Sequence, residues 1–182
     1  MYFEKPGKDN TEQALRFAFE KGKELGINEA VVASTTGETA YKAMEVFRGF
    51  QLTVVTYHCG FKEPFKSAMP DDVKQDIEGK GIKVVAASHA LSGLERSIFN
   101  KHSGAYPVLI IADTLRLLGQ GIKVAVEVAV MAADAGALSG NDIISIGGSG
   151  RGADAAVVLK PAHQNNFFDL RIREIICKPR SF

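Results

Sequence analysis

The sequence predicts an α/β sandwich built around a mostly parallel sheet. Two observations carry this. Short apolar runs at Ala30–Ala33 (AVVA), Leu52–Thr56 (LTVVT) and Ile82–Ala86 (IKVVA) alternate with stretches of helical length. These runs are apolar with little alternation, as strands covered by helices on both faces require. With 182 residues, 46% of them hydrophobic, the chain can form one domain with a substantial core. The expected division is an N-terminal helical segment (1–29), a core (30–160) and a tail (161–182).

Thr11–Leu25 carries the apolar stripe Leu15, Ala18, Phe19 and Leu25, with Gly26 as a stop, and reads as a helix. The first strand, Ala30–Ala33, runs into a helix ending near Arg48. The second strand, Leu52–Thr56, ends in Tyr57-His58-Cys59-Gly60. Pro70-Asp71-Asp72 opens a short helix, with proline in the first turn and acids at the positive end of the dipole. The third strand, Ile82–Ala86, ends in Ala87-Ser88-His89. Three helices are expected next, over Leu91–Phe99, Pro107–Leu118 and Lys123–Ala135. The fourth strand, Asp142–Ile146, precedes a glycine turn, and the fifth spans about Asp154–Leu159. Apolar-polar alternation at Leu170–Ile175 predicts a tail strand.

A net charge of +1 provides no general attraction to nucleic acid or acidic lipid. No apolar run approaches the ~20 residues of a membrane span, and MYFEKPGKDNTEQ has no signal-peptide core, so a cytoplasmic protein is expected. Cys59 and Cys177 form no CxxC pair and read as reduced thiols; the four histidines lack metal-ligand spacing, so no metal is expected.

Two turns carry the chemistry. Ser34-Thr35-Thr36-Gly37-Glu38-Thr39 joins a strand to a helix, where unpartnered N–H groups and the dipole favour an anion. The plainer reading is that Thr35 or Thr36 caps the helix. Gly147-Gly148-Ser149-Gly150-Arg151-Gly152-Ala153-Asp154 follows another strand and adds a hydroxyl and a guanidinium, the planar partner that phosphate prefers. A glycine hairpin is the plainer alternative here. The G-x-G-x-x-A spacing at Gly148–Ala153 lacks the following helix of a dinucleotide fingerprint.

These turns resemble those of the C-terminal α/β domain of pyruvate kinases. Ser34–Ala40 is similar to the family's T-K-S-G-R-S-A, Gly148–Val158 to P-G-S-G-x-T-N-T-x-R-V-V, and Tyr106-Pro107-Val108-Leu109 to F-P-V-L. The resemblance covers about Ala30–Leu159, and is strongest to proteins carrying this module without the catalytic barrel. It implies a three-layer α/β/α fold with strand order 3-2-1-4-5 and the fifth strand antiparallel. The family's lysine and arginine in the first turn are Thr35 and Glu38 here, which removes two phosphate-binding charges. The chain is shorter than the ~250 residues of a barrel, so pyruvate kinase activity is not expected.

Such an order makes a switch point between strands one and four, where ligands of these sheets bind. Ser34, Thr35, Thr36, Gly37, Thr39, Gly148, Ser149, Gly150, Arg151 and Gly152 are expected to hold a phosphate, with Asp154 accepting from polyol hydroxyls. Tyr57, His58, Phe61 and His89 are expected beside a planar ring. With Arg151 the one firm cation and Glu38 close by, a monophosphate is favoured, flavin mononucleotide (FMN) first. A binding module for such a ligand leads. The alternatives are a small enzyme using a bound flavin, His89 or Cys59, and a regulatory or oligomerisation subunit. His89 equally suits a cap for the helix beginning near Ser92, and Cys59 an inert buried thiol. Arg96 and Lys101 read as part of a lid or as a solvated helix face, and His163–Phe168 as a subunit contact or site wall. A homo-oligomer, most simply a dimer, is expected from the tail strand and the nearly all-apolar Val124–Ala133.

Overall fold

A computed structural model describes all 182 residues. In chain order the elements are β1 (Tyr2–Phe3), α1 (Thr11–Leu25), β2 (Glu29–Ala33), α2 (Glu38–Val46), β3 (Gln51–Tyr57), α3 (Asp71–Gly79) and β4 (Lys83–Ala87). They continue with α4 (Gly93–His102), α5 (Pro107–Arg116), α6 (Gln120–Asp134), β5 (Ile143–Gly147), β6 (Ala155–Lys160) and β7 (Arg171–Pro179). Short 3-10 segments cover Lys8–Asn10 and Gln164–Asp169, the second kinked at Asn166.

The strands form one seven-stranded sheet in the order β4-β3-β2-β5-β6-β7-β1. The pairs β4–β3, β3–β2 and β2–β5 are parallel; β5–β6 and β6–β7 are antiparallel. The five expected strands thus keep the order 3-2-1-4-5, with the fifth antiparallel. Two strands extend the sheet beyond them. One is the tail strand β7, and the other is the two-residue β1, parallel to β7 at Tyr2–Lys178.

Adjacent strand residues point to opposite faces, and each central strand feeds two cores. Val32, Val54, Ile144 and Val158 pack with Ala14, Leu15 and Ala18 of α1, Ala40 and Ala43 of α2, and Ile77 of α3. Val31, Val55, Ile143 and Val157 pack against Ile122, Val126, Ala129 and Val130 of α6. α5 lies outside α6, and α4 against α5.

α6 is buried nearly all round, its own chain covering every side. The apolar helix therefore does not present the free surface from which an oligomer was expected. The tail motif accounts for part of the cover: Phe167 packs at the edge of this core. Asp134 at the end of α6 accepts the Gln164 N–H at 3.2 Å and bonds His163 Nδ1 at 3.0 Å. His163, Gln164 and Phe167 thus hold the tail motif to α6. No helix is long and apolar enough to cross a membrane.

Candidate functional site

The carboxyl ends of β2, β3, β4 and β5 open onto one cavity of about 870 Å³, walled on one side by α6. This lies within the ~300–1,000 Å³ of small-molecule sites. From β5 to β4 it crosses three strand spacings, about 14 Å.

At the centre is the turn after β2. Thr35, Thr36, Glu38 and Thr39 line the cavity. Ser34 lines it too, but its Oγ is already engaged, accepting the Ala40 N–H at 3.2 Å. The N-cap position is Gly37, neither Thr35 nor Thr36 caps the helix, and the Glu38 and Thr39 N–H groups have no partner in the chain. Thr56 Oγ1 donates to the Thr35 carbonyl at 3.1 Å and ties the turn to β3.

Gly37 does not line the cavity. Its φ of +99° demands glycine, and an added Cβ would lie 2.4 Å from Val73 Cγ1 of α3. Its smallness serves helix packing, which corrects the expectation of ligand approach.

Gly148, Gly150, Arg151 and Gly152 of the second turn line the opposite side. Ser149 and Asp154 do not. Asp154 is fully buried; its Oδ2 accepts the N–H of Gly7 at 2.8 Å and of Ser149 at 3.3 Å, and its Oδ1 accepts the Ser149 hydroxyl at 3.3 Å. Burial raises its pKa above the usual carboxylate value, and these donors oppose the shift. The carboxylate fastens the N-terminal segment to the turn, so it is no acceptor for a ligand's hydroxyls. Gly152 has the same explanation: its φ is +73°, and a Cβ there would meet Thr11 Oγ1 at 2.3 Å.

Beyond β3 and β4 the wall becomes aromatic. Phe61 lies 4.7 Å from Tyr57 and 4.5 Å from His89 between ring centroids, and all three line the cavity. The Tyr57 hydroxyl and His89 Nδ1 are buried without hydrogen-bond partners. His89 therefore does not cap α4 with its side chain, although its carbonyl accepts the Ser92 and Gly93 N–H groups. Burial lowers the His89 pKa; Glu127 opposes the shift, while Lys123 and Arg96 add to it. His58 stands behind Phe61, with ring centroids 5.8 Å apart, but does not line the cavity. Cys59 is exposed, unpaired and outside the cavity, contrary to the reading as a buried thiol. Burial pushes the Cys177 thiol up to about 12, which keeps it protonated and inert.

The helical wall carries groups that sequence reasoning missed. Lys123 and Glu127 are both buried and form an ion pair one turn apart on α6. Burial lowers the Lys123 pKa, and Glu127 opposes the shift. Arg116 of α5 lines the cavity and donates through Nε to Gln120 Oε1 at 2.8 Å. Lys62 and Arg96 line it as well, while Lys101 does not. Arg151 is thus one of five cations around this space, faced by two carboxylates, Glu38 and Glu127. The expectation of one firm cation is corrected accordingly. An i,i+4 Lys–Glu pair on a helix ordinarily signals a solvated face, so the local sequence offered no sign of this one's burial.

A family model described as the pyruvate kinase alpha/beta domain matches residues 12–159. The match runs from α1 to the last residues of β6 and contains both turns, the aromatic wall and α6. By this match over most of its length, the chain belongs to the pyruvate kinase alpha/beta domain family.

Proposed function

We propose that the cavity binds a phosphorylated small molecule, and that this ligand is FMN. The observation that carries the reading is that two anion-type turns and an aromatic wall line the same space. The phosphate would sit between the free N–H groups of Glu38 and Thr39, the Thr36 and Thr39 hydroxyls, and the Arg151 guanidinium. A planar ring would extend toward Tyr57, Phe61 and His89. The fit of a flavin is supported by the two unpartnered buried atoms there, since a heteroaromatic edge offers both donors and acceptors to Tyr57 Oη and His89 Nδ1.

When bound, a flavin supplies a ring that exchanges electrons. The chain's own residues would orient it, with the phosphate fixed at one end and the ring packed at the other. Spectrophotometric titration tests the reading. FMN should bind with quenched fluorescence, and riboflavin, which lacks the phosphate, should bind at least about tenfold more weakly. Protein that neither takes up FMN nor is stabilised by it would overturn the flavin and leave a sugar or nucleoside monophosphate.

A further inference from the structure

The cavity holds more positive charge than one phosphate needs, and the surplus lies away from the phosphate turns. Lys62, Arg96 and Arg151 have no carboxylate partner in the chain, whereas Arg116 pairs with Asp113 and Lys123 with Glu127. The three unpaired cations come from different elements. Arg151 belongs to the β5–β6 turn. Lys62 follows Phe61, whose ring packs on His89, so it belongs to the aromatic end. Arg96 projects from α4, and its charge is felt at both His89 and Lys123.

Two carboxylates fix the supports of this end. Glu127 Oε1 accepts the Leu91 N–H at 2.9 Å and holds the loop carrying His89. Glu95 Oε2 accepts the Val108 N–H at 3.1 Å and ties α4, with Arg96, to the start of α5. His89 Nδ1 points to no protein acceptor or donor. Two unneutralised cations on a cavity whose aromatic end also carries an unpartnered imidazole nitrogen offer partners to an oxyanion.

We infer that Lys62, Arg96 and His89 form a second subsite in the cavity, which takes the carboxylate or phosphate group of a small co-substrate beside the ring-binding wall. This inference rests on the ligand reading above for what occupies the remainder of the cavity. The subsite itself needs only the side chains named. It makes the cavity a two-ligand site, with a mononucleotide anchored at Arg151 and a small anionic molecule at Arg96. Arg96 and Lys62 are both exposed and line the cavity, so the second subsite is open to solvent.

The test is calorimetric titration of the protein, with and without saturating FMN, using malonate as the carboxylate probe and inorganic phosphate as the phosphate probe. Binding of either probe to FMN-saturated protein is expected, and whichever binds identifies the anion class. Arg96→Gln and Lys62→Gln should each weaken that binding about three- to tenfold while leaving FMN affinity unchanged. Arg151→Gln should do the reverse. If FMN does not bind at all but malonate or phosphate still binds in an Arg96-dependent manner, the subsite stands and the flavin reading alone falls. Probe binding that Arg96→Gln and Lys62→Gln leave intact, or the absence of probe binding in both forms of the protein, would overturn the inference.

Discussion

Glu127 Oε1 accepts the Leu91 backbone N–H at 2.9 Å, while the other carboxylate oxygen of Glu127 bonds Lys123 Nζ. One buried carboxylate thus neutralises a buried cation and pins the loop that carries His89. Glu127→Ala should leave an uncompensated ammonium and an unmet N–H, and cost about 3–5 kcal/mol. The double variant Lys123→Met/Glu127→Leu removes both charges and should fall closer to wild type. Urea denaturation checks the order, and a double variant no more stable than Glu127→Ala would contradict it.

Arg151→Ala should weaken FMN binding by about 1.5–2 kcal/mol, the lower part of the range for a charge-assisted bond because the side chain is exposed. Thr36→Val should cost less, since the N–H groups of the turn remain. Calorimetry on both variants checks the ranking, and equal affinities for wild type and Arg151→Ala would remove the second turn from the site.

His89 titrates below its ordinary value of 6.5 because it is buried. Its unfolded form binds a proton more readily than the folded one. The stability held by this group is therefore complete above pH 6.5 and lost as pH falls below it. Denaturant midpoints at about pH 5.5 and about pH 7.5 should differ less in His89→Phe than in wild type.

Asp154 has the opposite sign. Its folded pKa lies above the ordinary 3.8, so its contribution is most favourable below that value and declines as pH rises toward the folded one. Asp154→Asn can keep all three bonds, because the Ser149 hydroxyl can reverse its role, and should remove that decline. Asp154→Ala strands the Gly7 and Ser149 N–H groups and should cost about 1–3 kcal/mol, with faster hydrogen exchange over the first ten residues. Unchanged exchange there would separate Asp154 from the N-terminal segment.

Gly37→Ala should destabilise by about 1–3 kcal/mol through the positive φ and the contact with Val73. Adding Val73→Ala should restore only the contact part. A thermal melt of the pair measures the split, and full rescue would mean that the backbone carries no strain.

The layered fold was legible because its signals are local. The stripe of Thr11–Leu25 and the left-handed Gly26 after it mark one helix without any tertiary information. The turns were legible as strand ends carrying glycine and hydroxyls. What those glycines serve was not: Gly37 and Gly152 meet Val73 and Thr11, partners remote in sequence. Asp154 looked like a site residue because it ends the turn, yet its carboxylate reaches Gly7. Lys62, Arg96 and Arg116 come together only when the loop after β3, α4 and α5 close over the sheet edge. β1 is two residues long and carries no periodic signal.

The pairing of β1 with β7 brings the two ends of the chain together. The Met1 amino group donates to the Ile176 carbonyl at 2.7 Å, and Arg180 N–H to the Phe3 carbonyl at 2.7 Å. The first and last strands of the chain are therefore neighbours in the sheet. A short linker from Phe182 to Met1, with new ends cut in the exposed segment Gly60–Lys66, would keep the sheet order intact. Such a circular permutant would start its chain beside the aromatic wall and turn the present termini into an ordinary surface loop.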